Sequence, residues 1–193
     1  MKESDIRPED LFDRYLELSK LDVKEFFGSK KSRISRRCPA CDCGDTVQGF
    51  EKNNFNFVYC AKCFSLYVNP CPEPAKLEKF YSDSPSQNYW ANTFFPAVSE
   101  ARTAKVFKPR AEALKAMLLH NGVKGGVRIV DVGAGDGTML NEIKNVGLGK
   151  EFVAVEPTPD LAEVCKSRGF RVFNCFAEAA SKEKALVDSA FLV

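Results

Sequence analysis

Two acids and three closely spaced glycines form the part of the sequence with the clearest potential for ligand binding. Asp131 lies in an apolar, β-branched run of strand length. The glycines that follow are Gly133, Gly135 and Gly137, and a segment that can form a helix begins after them. Glycine accepts positive φ and has no Cβ, so backbone amides at such a turn can approach a ligand closely. Glu156 ends a second apolar run, where a carboxylate can accept both hydroxyls of a ribose.

The glycine spacing and the preceding acid narrow the class of ligand. A dinucleotide-binding loop follows G-x-G-x-x-G, whereas Thr138 occupies the position of its third glycine here. Asp131 would repel a pyrophosphate, but it favours a ligand that carries an ammonium and a sulfonium group. These features disfavour a nicotinamide-dependent oxidoreductase. A further alternative is a doubly wound fold in which the glycines only form a tight turn.

Four cysteines form the second group with recognisable chemistry. Cys38 and Cys41 make one C-x-x-C pair, and Cys60 and Cys63 make another. Each pair can direct both sulfurs at one metal ion, and two pairs complete the tetrahedron of a zinc ribbon. Four thiolates leave no position for water, so we expect the Zn²⁺ to be structural. Cys43 could replace Cys41 as a ligand, and spacing alone leaves both open.

Short strands and helices are expected around the cysteines. Val47–Lys52 and Phe55–Tyr59 predict a hairpin that brings the two cysteine pairs together. Apolar spacing predicts a helix over residues 8–20, and a capping box predicts a second, short helix from Asp22 to Phe27. A further short helix is expected over Ala75–Tyr81.

An aromatic cluster precedes the glycine-rich half of the chain. Ser82–Asn88 is expected to be a loop. The aromatic residues after it are Tyr89, Trp90, Phe94 and Phe95. Packing is one interpretation of this cluster, and a lid over a small-molecule site is the other. Residues 97–119 then predict one broken helix or two consecutive helices, with a proline opening the second.

The C-terminal part alternates strands and helices. After the glycine loop and its helix, strands are expected at Phe152–Glu156, Phe170–Phe173 and Leu186–Val193, with a helix at Asp160–Ser167. Such alternation predicts an α/β fold with a parallel sheet and a ligand at the carboxyl ends of its strands.

Composition excludes several classes of protein. The net charge of the 193 residues is +2, which argues neither for nor against nucleic acid. No aromatic residues are interleaved with the basic ones to form a nucleic-acid platform, so nucleic acid is not an expected partner. The start of the chain is polar and no apolar run is long enough to span a membrane, so we expect a cytoplasmic protein without a membrane partner. The sequence has a single histidine, His120, which removes most mechanisms that pair a nucleophile with histidine. This histidine is expected at the end of a helix.

The run from Asp131 to Gly137, D-V-G-A-G-D-G, resembles the first motif of the class I S-adenosylmethionine-dependent methyltransferases. The resemblance extends from about Val98 to the end of the chain. It implies that the acid before the loop faces the cofactor's amino group and that Glu156 binds the ribose. The cofactor-binding residues it implies are Asp131, Gly133, Ala134, Gly135, Gly137, Glu156, Pro157, Ala177 and Glu178.

The cysteine pairs, together with the sequence Leu66-Tyr-Val-Asn-Pro, are similar to the N-terminal segment of bacterial methyltransferases that act on sugar nucleotides. This second resemblance implies a small-molecule acceptor, such as a sugar nucleotide. The alternative function is a zinc-ribbon interaction module with a non-catalytic nucleotide-binding scaffold.

The expected organisation is an α/β fold with four parts. An N-terminal helical segment covers residues 1–30, a zinc ribbon 31–73, a linker with a short helix and an aromatic loop 74–96, and the S-adenosylmethionine-binding domain 97–193. The family's Rossmann-like sheet has seven strands, and only about four fit after residue 126. We therefore expect an incomplete sheet, completed by a missing C-terminal half or a partner chain. The hypothesis that follows is that this portion alone lacks transferase activity, and no catalytic residue is assigned.

Overall fold

The computed structural model describes residues 2–123 and 126–180 and the backbone of residues 190–192. The chain divides into two compact units. The ribbon unit is Leu16–Ser86, and the sheet unit combines Met1–Tyr15 with Gln87–Val193. The structure contains both helices and sheets, so the predicted α/β class is confirmed. Within the described residues, every helix is too short or too polar to cross a bilayer.

Within the described residues, the first part of the chain contains a 3-10 helix at Glu3–Asp5, two α-helices and five short strands. In chain order the α-helices and strands are α1 (Glu9–Phe27), β1 (Arg33–Ile34), β2 (Thr46–Lys52), β3 (Phe55–Cys60), β4 (Leu66–Val68), β5 (Cys71–Pro72) and α2 (Pro74–Asp83). β2, β3 and β4 form an antiparallel sheet, and β1 pairs with β5. The predicted hairpin is therefore confirmed. Asn53 and Asn54 form its turn with φ of 50° and 65°, values that asparagine adopts more readily than most residues.

Helix α1 is continuous, so the prediction of a separate helix beginning at Asp22 is wrong. The Asp22 side chain is only 1% exposed. Its Oδ2 accepts a hydrogen bond of 2.8 Å from the backbone N–H of Ser86 instead of capping its own helix. The carboxylate thus binds an amide in the first turn of a helix far along the chain, where a negative charge is favourable.

The rest of the chain contains helices and then strands and helices in alternation. Its elements are α3 (Pro85–Tyr89), α4 (Phe95–Arg102), α5 (Lys108–His120), β6 (Arg128–Val132), α6 (Thr138–Asn145), β7 (Glu151–Val155), α7 (Pro159–Ser167), β8 (Arg171–Phe173), α8 (Ala177–Ala180) and β9 (Ala190–Leu192). The strand order is β8-β7-β6-β9, and all pairings are parallel. β9 falls within the predicted last strand, and residues 186–189 and 193 of that prediction lie outside the described residues.

The segment from α3 to α5 is helical throughout, which corrects the predicted loop at Ser82–Asn88. Two π-helical segments, Trp90–Phe94 and Thr103–Phe107, connect the three α-helices. Each lies just before a proline, Pro96 or Pro109. Proline lacks an N–H and crowds the carbonyl four residues earlier, so a widened turn lets the helix continue through it.

The neighbouring strands β6 and β7 are buried on both faces. On one face, Ile129 and Ala154 pack with α5, α6 and the Phe170 ring, whereas Val130 and Val153 belong to a second cluster. Burial on both sides explains why these strands are apolar without alternation. The packing fixes the carboxyl ends of β6 and β7, where the predicted binding residues begin.

Candidate functional site

The glycine loop begins at the end of β6 and is bound to the neighbouring strand. Gly133, Gly135 and Gly137 have φ of 81°, 57° and 76°, a region that other residues occupy at a cost. The amides of Gly133 and Ala134 donate to the carbonyl of Val155 at 2.8 and 3.2 Å. The end of β7 therefore holds the first half of the loop in place.

Glu156 contacts the middle of the loop through its carboxylate. Its Oε2 accepts a hydrogen bond of 2.8 Å from Gly135 N, and its Oε1 accepts one of 2.8 Å from Thr158 N. Asn174 donates to the Glu156 backbone carbonyl at 2.8 Å. The residue is 5% exposed. A carboxylate offers about four acceptor positions, so two amide bonds leave capacity for two hydroxyl donors.

The second half of the loop is held by an ion pair that the sequence did not suggest. Asp136 accepts bonds from Thr138 N at 3.0 Å and from Thr138 Oγ1 at 2.7 Å. Arg168 Nη2 donates to the same carboxylate at 2.9 Å. Thr138, which replaces the third glycine of a dinucleotide loop, thus fixes the conformation of this one.

Above the loop lies a cavity of about 370 Å³. The residues that line it are Phe95, Arg102, Phe107, Arg110, Asp131, Val132, Gly133, Ala134, Gly135, Asp136 and Met139. Asp131 is 6% exposed. Burial raises the pKa of its carboxyl to about 6, and the negative charge of Glu156 contributes further. A cationic group in the cavity would favour the ionised carboxylate.

Two arginines in this cavity were not identified from the sequence. Arg102 ends α4, and Arg110 lies in the first turn of α5. The Arg102 Nε is buried without a hydrogen-bond partner. Burial lowers the pKa of the Arg102 guanidinium, and the charges of Arg7 and Arg110 lower it further. Nothing in the local sequence marks these residues, because their role depends on how the helices pack over the loop.

The aromatic cluster has two roles. Phe94 is fully buried, and its ring stacks on Trp90 with centroids 4.4 Å apart. Tyr89 donates a hydrogen bond to the Leu11 carbonyl at 3.2 Å. Phe95 alone among the four lines the cavity. Packing therefore accounts for most of the cluster, and one ring faces the candidate site.

The predicted binding residues do not all meet in the cavity. Asp131, Gly133, Ala134 and Gly135 line it. Gly137 instead contacts the core, since a Cβ there would lie 3.0 Å from Cys165 Sγ and 3.1 Å from the Phe170 ring.

The other predicted residues lie beside the ends of β7 and β8, outside the cavity lining. Glu156 and Pro157 follow β7, and the Asn174 amide donates to both of their carbonyls. Ala177 and Glu178 begin α8, and both are exposed.

The ribbon unit contains the cysteine cluster. The Sγ atoms of Cys38, Cys41, Cys60 and Cys63 all lie within 4.8 Å of one another. Cys38 and Cys63 Sγ are 3.6 Å apart, and Cys41 and Cys60 Sγ are 3.5 Å apart. A zinc ion with four sulfurs at about 2.3 Å requires sulfur separations of about 3.8 Å, so the cluster fits such an ion. Cys43 lies outside the group, with its Sγ 3.9 Å from the Asp45 carbonyl.

Hydrogen bonds at two of the four cysteines, Cys60 and Cys63, favour the thiolate, the form that binds metals. The Ser65 hydroxyl lies 3.2 Å from Cys63 Sγ. Hydrogen bonds to the Ser65 side chain and backbone lower the pKa of Cys63 to about 6. The backbone N–H groups of Cys63 and Lys62 lower the pKa of the Cys60 thiol. Four thiolates so close together would repel one another, and a cation at their centre would remove that repulsion.

No protein-family model matches the chain, and no curated protein matches it. Among solved structures, the chain is similar to a candidate RNA methyltransferase from Pyrococcus horikoshii, with 26% sequence identity and a TM-score of 0.30. The similarity covers 35% of this chain and 37% of that protein. The shared part is small and superposes loosely.

Proposed function

We propose that the sheet unit binds S-adenosylmethionine and forms part of a methyltransferase with a Rossmann-like sheet. The observation that carries this proposal is the buried Asp131 carboxyl, which lies in a cavity over the glycine loop. The strand order also supports it, since the order reverses at β6 and ligands of open α/β sheets bind where this happens. In the alternative, in which the glycines only form a tight turn, a buried acid beside the loop would not be required.

The chain's own residues would bind and orient the cofactor. Asp131 would accept hydrogen bonds from the ammonium group, directly or through water. Glu156 would accept them from the ribose hydroxyls, since its backbone partners hold it in place and leave acceptor capacity. Pro157, Ala177 and Glu178 would lie on the adenine side.

When bound, S-adenosylmethionine supplies a methyl group activated by its sulfonium. The protein's contribution would be to position the two reactants and to exclude water, and the apolar side chains of Phe95, Phe107 and Met139 in the cavity suit this role. We assign no general base. The acceptor we propose is a small molecule such as a sugar nucleotide, on the resemblance of the ribbon segment to methyltransferases of that kind.

For the ribbon unit we propose a structural zinc ion bound by Cys38, Cys41, Cys60 and Cys63. The close approach of the four sulfurs supports this ligand set. A complete set of four thiolates leaves no open coordination position, so the metal would stabilise the ribbon and would not take part in catalysis.

Isothermal titration calorimetry with S-adenosylhomocysteine and with NAD tests the proposed function. We expect wild-type protein to bind S-adenosylhomocysteine and not NAD. Asp131→Asn should weaken binding by about 10-fold or more because the ammonium loses a charged acceptor. Glu112→Asn, an exposed position on α5 outside the cavity, is the matched control and should bind as wild type does. Absence of binding by wild type would overturn the proposal.

A second candidate function is an interaction module, and one observation favours it. Val47, Tyr59 and Leu66 are cross-strand neighbours in the ribbon sheet, and all three are exposed. Phe64, at the second cysteine pair, is 77% exposed. An apolar surface of this kind is typical of protein interfaces. Protein that retains one equivalent of zinc but binds neither S-adenosylhomocysteine nor NAD would favour this function.

A further inference from the structure

Helix α7 contacts the glycine loop through two of its residues. Near its end, Cys165 Sγ donates a hydrogen bond of 3.2 Å to the Gly135 carbonyl. Burial raises the pKa of this thiol to about 12, so the sulfur keeps its proton and remains a donor. At the C-cap of α7, Arg168 Nη2 donates to the Asp136 carboxylate at 2.9 Å. Two successive loop residues are therefore bound by side chains from one helix.

Arg168 completes a closed set of hydrogen bonds in the second half of the loop. Its Nη1 donates to Thr138 Oγ1 at 3.3 Å, and its Nη2 donates to Asp136. Thr138 in turn donates to the Asp136 carboxylate through its N–H and its hydroxyl. The Asp136 side chain is 13% exposed and the Arg168 side chain 29%. A charge-assisted pair that is largely shielded from water holds its partners more firmly than an exposed pair does.

The loop residue before Asp136 also orients the Glu156 carboxylate. Gly135 N donates to Glu156 Oε2 at 2.8 Å, while the Gly135 carbonyl accepts the bond from Cys165. The other carboxylate oxygen, Oε1, is bound by Thr158 N at the N-cap of α7. Both hydrogen bonds that orient this carboxylate therefore depend on α7, one directly and one through the loop. A shift of the loop would release Oε2 and leave Oε1 bound.

We propose that Arg168 is a positioning residue of the cofactor site, which acts through Asp136 to fix the loop in the conformation where Gly135 orients Glu156. This inference rests on the proposed function, in which Glu156 accepts hydrogen bonds from the ribose. Arg168 lies outside the cavity lining, so it acts without contact with the ligand there. Substitution of Arg168 should reduce the preference for the ribose hydroxyls, which a general loss of stability would leave unchanged.

The test compares S-adenosylhomocysteine with its 2′-deoxy analogue, which lacks one ribose hydroxyl. Both are titrated by calorimetry into wild type, Arg168→Gln and Arg168→Lys. In wild type the deoxy analogue should bind about 10-fold more weakly, as expected for loss of one charge-assisted hydrogen bond. In Arg168→Gln the two ligands should bind within about 3-fold of each other, because Glu156 is no longer held in place. Arg168→Lys keeps the positive charge and should retain part of the preference.

Lys166→Gln is the matched control for loss of a positive charge. Lys166 lies near the same end of α7, is exposed and pairs with Glu163, away from the loop. This variant should keep the wild-type preference for the ribose hydroxyl. Loss of the preference in Lys166→Gln would mean that the charge of the helix end, and not the contact of Arg168 with the loop, is responsible.

A double-mutant cycle tests whether Arg168 acts through Asp136. Arg168→Gln and Asp136→Asn should each weaken the binding of S-adenosylhomocysteine by about 10-fold. The double variant should also bind about 10-fold more weakly, not about 100-fold, because either substitution alone already breaks the ion pair. Losses that multiply would show that the two residues act independently, and the inference would be wrong.

The binding of wild type separates this inference from the proposed function. If wild type binds S-adenosylhomocysteine but Arg168→Gln keeps the full preference for the ribose hydroxyl, the inference is wrong and the proposed function stands. The same holds if wild type does not distinguish the two ligands. If wild type binds neither ligand, both fail. If Arg168→Gln does not fold, Asp136→Asn breaks the same ion pair and must show the same loss of preference.

Discussion

The cysteine cluster and the cavity over the glycine loop are assembled in different ways. Two short C-x-x-C segments supply all four sulfurs of the cluster, and one hairpin brings them together. The cavity is lined by four helical segments, the end of β6 and the glycine loop, including Arg102 and Asp131. The cysteine cluster should therefore depend on few residues, each of which is essential for metal binding. In the cavity, each single substitution should reduce ligand affinity only in part.

Removal of one cysteine should have the largest effect on the molecule. Cys60→Ser removes a fully buried sulfur of the proposed zinc site, and we expect loss of bound zinc and unfolding of the ribbon, since structural zinc commonly contributes about 10 kcal/mol or more. Zinc content and far-ultraviolet circular dichroism would measure this. Cys43→Ser is the control, because its sulfur lies outside the cluster. One equivalent of zinc in Cys60→Ser would show that the cluster is not the metal site.

Alanine substitutions at two glycines of the loop should destabilise the protein by different amounts. Gly137→Ala should destabilise the protein by about 2–4 kcal/mol, because φ is 76° and the new Cβ would crowd Cys165 and Phe170. Gly133→Ala meets no atom within 4 Å, so only the backbone cost of about 1–2 kcal/mol should remain. Urea denaturation measures both. Equal losses would mean that the contact with Cys165 and Phe170 is unimportant.

Glu156 should contribute an intermediate amount to cofactor binding. Glu156→Ala removes the proposed ribose acceptor, and affinity for S-adenosylhomocysteine should fall by about 1–3 kcal/mol. The variant also leaves the amides of Gly135 and Thr158 without their acceptor, so its stability must be measured separately. Glu163→Ala, an exposed acid on α7, provides the control. An unchanged dissociation constant would remove Glu156 from the site.

The smallest expected effect is the dependence of stability on the ionisation of Asp131. Its folded pKa of about 6 lies above its ordinary value of 3.8, so the folded state holds the proton more tightly than the unfolded state. The protonated Asp131 carboxyl therefore makes its full contribution to the free energy of unfolding below pH 4, and this contribution is lost as the pH rises to about 6. Between pH 4.5 and 7 the loss should be about 1–2 kcal/mol.

Urea denaturation of wild type and Asp131→Asn at both pH values isolates this contribution from other titrating groups. The difference in unfolding free energy between the two proteins should change with pH in favour of Asp131→Asn at pH 7. A difference that does not vary with pH would show that burial does not perturb the Asp131 carboxyl.

The sequence predicted local features well because short spacings determine them. The C-x-x-C pairs, the Asn53–Asn54 hairpin and the glycine turn depend on neighbouring residues, and the structure contains the hairpin and brings the four sulfurs together. Contacts between residues far apart in the chain were not predicted, because short spacings carry no information about them. Asp22 matches a local capping box, but it binds Ser86, 64 positions later. Arg102 faces the cavity through helix packing that no pattern in the sequence indicates.

A crystal structure of the protein with S-adenosylhomocysteine tests the central claim most directly. We predict the amino acid end of the ligand in the cavity, with its ammonium at Asp131, and the ribose hydroxyls on Glu156. A ligand bound elsewhere, or one with its ribose away from Glu156, would contradict the assignment of the glycine loop as a cofactor site.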